Sequence, residues 1–144
     1  MELDFKRIER IRKIRSCMAA LLREENTLSV PILRDTGKIK TIHNVFKRIL
    51  DERGHPPDAE SATMRKKFVF IAIYLYFPAA LAGGRIKPGI REELSRALGV
   101  SGPVISKNCE DAVFLYTHYA DFKEDVRHLY GAMTERLKAL NVIK

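Results

Sequence analysis

Tryptophan is absent and cysteine nearly so: Cys17 and Cys109 are the only two in 144 residues, far apart in the chain. With no C-x-x-C pair and no histidine spacing to complete one, neither a disulfide framework nor a zinc site is available. In a reducing compartment both thiols read as packing residues. Long hydrophobic runs are missing as well. The longest, Phe68 to Ala82, is fifteen residues with two tyrosines and a proline, short of the roughly 20 a membrane-spanning helix needs. Lys6, Arg7, Arg10, Arg12, Lys13 and Arg15 precede no continuous apolar segment and no small-residue cleavage site. A secretory signal is therefore not expected, and the reading is a cytoplasmic protein without a membrane partner. Internal repeats and low-complexity segments are also lacking.

Catalytic groupings are equally scarce. His43, His55, His118 and His128 are scattered, and none stands in a recognisable motif with Cys or Ser. His43 opens an expected helix and His55 sits among prolines, so both read as surface residues. Gly83-Gly84 lacks the downstream Gly and Lys of a phosphate-binding loop and the strand context of a dinucleotide fingerprint. Glu92 and Glu93 are adjacent and so point to different sides of a helix, where they suit the dipole of its first turn. The expectation is a protein that is not an enzyme, with no cofactor and no metal.

Helical periodicity is what the chain does have. An apolar content of 46% with 31% charged residues fits a soluble globular domain with one real core. Phe5, Ile8, Ile11, Ile14, Met18, Leu21 and Leu22 form one stripe of a long first helix, offering either a dimer seam or a face for the chain's own core. Two readings are open for residues 27–42: a short β-hairpin, from the alternation of Leu28, Val30 and Ile32 before "RDTGK", or a structured loop. Ile42, Val45, Phe46, Ile49 and Leu50 mark a second helix. "GHPPDAES", residues 54–61, is the best boundary, read as a surface loop rather than a hinge. Beyond it, Met64 to Phe77 is apolar on nearly every face from Phe68 onward, which predicts burial all round. Ile90, Leu94, Ala97 and Leu98 mark a short helix; Ile105, Cys109, Ala112, Val113 and Tyr116 mark another with Ser101 as N-cap. Asp121 with Glu124 reads as a capping box before a last helix carrying Phe122, Val126, Leu129, Tyr130, Met133, Leu137 and Leu140. The fold class is all-α. Residues 1–60 form an N-terminal helical segment that packs on or dimerises the rest, and residues 61–144 form the core.

Charge is unevenly distributed. The net +8 divides into +3 over residues 1–24 and +5 over 61–110, while 25–60 and 111–144 each balance to zero. Two basic blocks beside neutral ones suggest a side that faces a polyanion.

The second block surrounds "LGVSGPVISKN", residues 98–108. Ser95 supplies a small residue where two helices approach, Leu98 and Val100 bracket a bend, and Gly99 is free to take the left-handed conformation that ends a helix. Ile105 anchors the next helix. This spacing resembles the helix-turn-helix of lambdoid phage repressors and places the motif at about 89–117. Its inward residues leave Ser106, Lys107, Asn108 and Glu110 outward, with Ser101, Gly102 and Pro103 as the leading edge. A proline is tolerated there because a first-turn N–H has no helical partner.

A second resemblance covers residues 61–138. The order "RKK", "FVFIAIYL", helix-turn-helix, then a long helix opened by "DFKEDV" is similar to the C-terminal DNA-binding domain of the bacterial chromosomal replication initiator, a relative of the Trp-repressor fold. "VSGPVIS" stands where that family carries its R-D-H-T-T-V reading signature. The resemblance implies that Arg65, Lys66 and Lys67 approach the minor groove and that residues 101–108 enter the major groove. Arg85 and Lys87, just before the motif, complete the expected phosphate-contacting set. Lys107 would reach guanine or phosphate, and Asn108 would pair with adenine. The function these readings imply is sequence-preferring binding of double-stranded DNA, in regulation or replication of bacterial or mobile-element DNA. The alternative is a non-enzymatic helical module whose basic surface binds another protein.

Overall fold

The computed structural model describes residues 5–53 and 61–144. Among these residues there are six α-helices and no strand: α1 Lys6–Leu28, α2 Ile39–Asp51, α3 Ala62–Tyr76, α4 Pro88–Leu98, α5 Gly102–His118 and α6 Ala120–Ala139. No helix among them is long and apolar enough to cross a membrane.

The chain divides into two compact units, Met1–Val30 and Pro31–Lys144. The first consists of α1, in which no residue is buried. Ile8, Ile11, Ile14, Met18, Leu21 and Leu22 of its stripe are all exposed. Cys17 lies exposed on the same helix, contrary to its reading as a packing residue, whereas Cys109 is buried.

The second unit is built around α3. Phe68, Val69, Ile71, Ala72, Ile73 and Leu75 are all essentially inaccessible, but Tyr74 is exposed and Phe70 half-buried, so the burial expected all round is incomplete on one face. Ser61 caps it, its hydroxyl accepting the Met64 N–H at 3.2 Å. Pro78 ends the α-helical pattern, and the chain continues as a short 3₁₀ turn, Pro78–Ala82. On α6, Phe122, Val126, Leu129, Met133 and Leu137 recur at helical spacing and are all buried. On α2, Ile39, Ile42, Val45, Phe46, Ile49 and Leu50 do the same. This helix packs against α3, α4 and α6. The division therefore falls at Val30 and not near residue 60: α2 buries too much apolar surface to belong elsewhere.

Residues 27–42 form no hairpin. The backbone N–H groups of Ile32 and Leu33 both donate to the Leu75 carbonyl at 2.9 Å, and the Tyr76 hydroxyl donates to the Asp35 carbonyl at 2.7 Å. The last carbonyls of a helix lack intrahelical partners, so the end of α3 holds this segment as a loop. Asp35 then caps a 3₁₀ turn, Thr36–Lys38, accepting the Gly37 N–H at 2.9 Å. The boundary read at residues 54–61 lies outside the described residues except for Ser61.

Two further expectations are corrected. Asp121 is not an N-cap: α5 and α6 are separated by Tyr119 alone (φ −123°, ψ 111°), so α6 begins at Ala120 and Asp121 falls inside its first turn. His43 is not a surface residue. It is 4% exposed, with its ring centroid 4.8 Å from that of Phe68. Burial first, and the neighbouring Lys47 second, pull its pKa down to about 4, so the imidazole is neutral at pH 7.

Candidate nucleic-acid interface

The corner between α4 and α5 is set by few atoms. Ile90, Leu94 and Leu98 bury one stripe of α4, and Ile105, Cys109 and Ala112 bury one stripe of α5. Gly99 joins them at φ 66°, ψ 32°, a conformation costly for a residue with a Cβ. Its N–H donates to the Ser95 carbonyl at 2.9 Å, and the Val100 N–H to the same oxygen at 3.2 Å. The Ser95 hydroxyl donates back to the Val100 carbonyl. Ser95 thus locks the turn by hydrogen bonding, in addition to being small.

Ser101 occupies the N-cap position of α5 in extended conformation (φ −72°, ψ 159°), but its side chain accepts no capping bond. The first turn, with Pro103 in it, is left without a side-chain cap, and Ser101 and Pro103 are exposed. Gly102 has a reason that its sequence position alone did not disclose. A Cβ there would lie 2.6 Å from Arg91 Nε, so the Arg91 guanidinium packs directly over the start of α5. Sequence reasoning passed over Arg91; the available signal was a glycine opening a helix, which makes room for a neighbouring side chain. Arg91 also lines a depression of about 570 Å³ with Arg85, Ser106, Cys109 and Glu110. Burial, then Glu110, raises the Cys109 thiol to about 11, so it is no nucleophile at neutral pH.

The sequence-predicted residues separate into three groups. Arg85, Lys87, Ser101, Pro103 and Lys107 are exposed, with Gly102 and Ser106 half-buried beside them. Lys87 occupies the N-cap position of α4 without a side-chain cap bond, and its ammonium sits 5.1 Å from the Phe77 ring centroid. Lys107 pairs with Asp111 at 3.2 Å one turn on.

Asn108 is the clear correction. It is 4% exposed, not outward, and its side-chain nitrogen is buried without a hydrogen-bond partner. Three residues after Ile105 and four before Ala112, it falls on the inward stripe.

The third group is "RKK". Lys67 is buried and donates to Asp125 at 2.6 Å, while Arg53 pairs with the other oxygen of that carboxylate at 2.8 Å. Lys66 pairs with Asp111 at 3.6 Å. Arg65 is half-buried, its Nε enclosed without a partner. Lys67 at least serves the fold, because a desolvated ammonium needs its carboxylate.

The structure thus defines an all-α protein carrying a helix–turn–helix corner with a basic rim. Comparison with protein families, curated proteins and solved structures gives no match.

Proposed function

We propose that the protein binds double-stranded DNA through the α4–turn–α5 corner. One observation supports this above the others: the left-handed turn at Gly99 leaves the amino-terminal end of α5 uncapped and solvent-facing, with the Arg91 guanidinium packed across it. Free N–H groups at a helix start receive phosphate well. Arg85, Lys87, Arg91 and Lys107 contact the backbone, and Ser101, Pro103, Ser106 and Lys107 meet the groove. Lys67 and Asn108 take no part. Glu110, on the exposed side of α5, disfavours phosphate and suits a cytosine amino group.

Four phosphate contacts give a slope of log affinity against log salt of about −3 to −4, so binding to duplex DNA falls roughly a hundredfold between 50 and 200 mM salt. Fluorescence anisotropy with a random-sequence 30-bp duplex tests this. Lys107→Ala should weaken binding and make the slope shallower by about one. Absence of salt-sensitive binding by folded wild-type protein overturns the proposal.

A second reading is favoured by one feature of the same helix. Phe114 is 56% exposed, on the same face as Lys107 and Glu110, with the His118 ring centroid 4.5 Å away. An exposed aromatic there suits a protein partner. A helical interaction module of this kind would show shallow salt dependence and would lose affinity on Phe114→Ala.

A further inference from the structure

We infer that α1 is a self-association surface: two copies of the chain pair through it, antiparallel, about an axis near Ser16. The helix has 23 residues, about 34 Å at 1.5 Å per residue, and helices in proteins gain most of their stability by packing an apolar face. Ile11, Ile14, Met18 and Leu21 follow a spacing of three and four, and all are exposed. That is the a/d spacing of a two-helix seam.

Charge selects the direction. The first half, Lys6–Arg15, carries six cations and one anion, while Ser16–Leu28 carries Arg23 against Glu24 and Glu25. Parallel chains would set the cationic halves side by side, with Arg10 facing Arg15 of the second copy across the seam. Antiparallel chains bring each cationic half beside the acidic end of the other. With Ile11 opposite Leu21 and Ile14 opposite Met18, Arg10 flanks Glu24 and Arg7 meets Glu25 at each end of the seam. Ile8 then meets Leu22. The match is self-complementary, as a two-fold interface requires. The same register puts the two Cys17 residues across from each other on one flank of the seam. A parallel dimer holds them on opposite flanks.

The test uses the full chain in sedimentation equilibrium, with wild type expected as a dimer. Arg10→Glu places a carboxylate against Glu24 twice per dimer and should raise the dimer Kd about tenfold. Arg10→Glu with Glu24→Arg should restore it. In a parallel dimer the same Arg10→Glu change would tighten association, because it would face Arg15. Mild oxidation supplies a check that needs no seam variant: wild type should form a disulfide-linked dimer, and Cys17→Ser should not. A monomeric wild type, or a dimer that Arg10→Glu tightens or leaves unchanged, overturns the inference.

Discussion

Replacing Asp125 with Asn tests whether the basic run at Arg65–Lys67 belongs to the fold or to a polyanion surface. Asp125 accepts from Lys67 at 2.6 Å and pairs with Arg53 at 2.8 Å, with side chains 10%, 28% and 24% exposed for Lys67, Arg53 and Asp125. Burial pushes the carboxyl upward, but the hydrogen bonds from Arg53 and Lys67 outweigh it and hold its pKa below the usual range. Breaking a buried pair by removing one partner costs about 3–5 kcal/mol. The partial exposure of Asp125 and Arg53, and the Phe122 ring 5.6 Å from the Lys67 ammonium, bring the expected loss to about 2–3 kcal/mol. For a unit spanning Pro31–Lys144 that is a melting temperature lower by about 10 °C. Urea unfolding at pH 7 reads the free energy directly. The triple change Arg53→Met, Lys67→Met and Asp125→Leu should recover most of the loss, since it leaves no charge stranded. Because the folded pKa is depressed, the contribution is complete above the ordinary carboxylate range and disappears only as pH falls through the lower folded value. An Asp125→Asn variant within about 0.5 kcal/mol of wild type, together with weaker DNA binding by Lys67→Met, would refute this reasoning and return Lys67 to the DNA-contacting set.

His43 should make folding pH-dependent. With a folded pKa of about 4 against an ordinary 6.5, the unfolded chain takes up a proton that the folded chain refuses. Stability therefore declines from about pH 6.5 downward, by about 3 kcal/mol once pH reaches 4. His43→Leu should flatten that part of the profile in urea unfolding, and equal slopes in both proteins would contradict the burial argument. Asn108→Leu removes a buried nitrogen without a partner. It should leave stability unchanged or raise it by about 1 kcal/mol, with no loss of DNA affinity. Lost affinity in a stable variant would revive the adenine-pairing role.

Where the fold was legible in the sequence, one physical signal dominated. The apolar spacing of α2 corresponds to buried residues one for one, whereas on α6 Leu140 is exposed and Tyr130 half-buried, and on α3 Tyr74 is exposed and Phe70 half-buried. Gly99 was legible because only a residue tolerant of positive φ fits that bend. Asn108 was misplaced because its polarity was weighed above its angular position, which already lay between Ile105 and Ala112 on the inward stripe. Lys67 was beyond reach for a different reason: its partner lies 58 residues further along the chain, and charge type says nothing of such pairing. Leu28, Val30 and Ile32 alternate as a strand would, but the N–H groups of Ile32 and Leu33 met a helix end before any second strand.

Ion pairing also changes what the net charge means for binding. Of the cations between residues 61 and 110, Lys66, Lys67, Arg96 and Lys107 each have a carboxylate within 4.0 Å among the described residues. Arg85 and Arg91 share one depression, and Arg91 lies over the first residue of α5. A paired cation contributes little field at a distance, whereas an unpaired one at a concave rim attracts phosphate. The formal +8 therefore overstates the number of counterions that binding can displace. Within residues 61–110, the cations at the α4–α5 corner without a carboxylate in reach among the described residues are Arg85, Lys87 and Arg91, with Lys107 contributing only by exchanging Asp111 for phosphate. On this view Arg91→Ala should weaken DNA binding more than Lys107→Ala, because Arg91 surrenders no carboxylate when it meets the backbone.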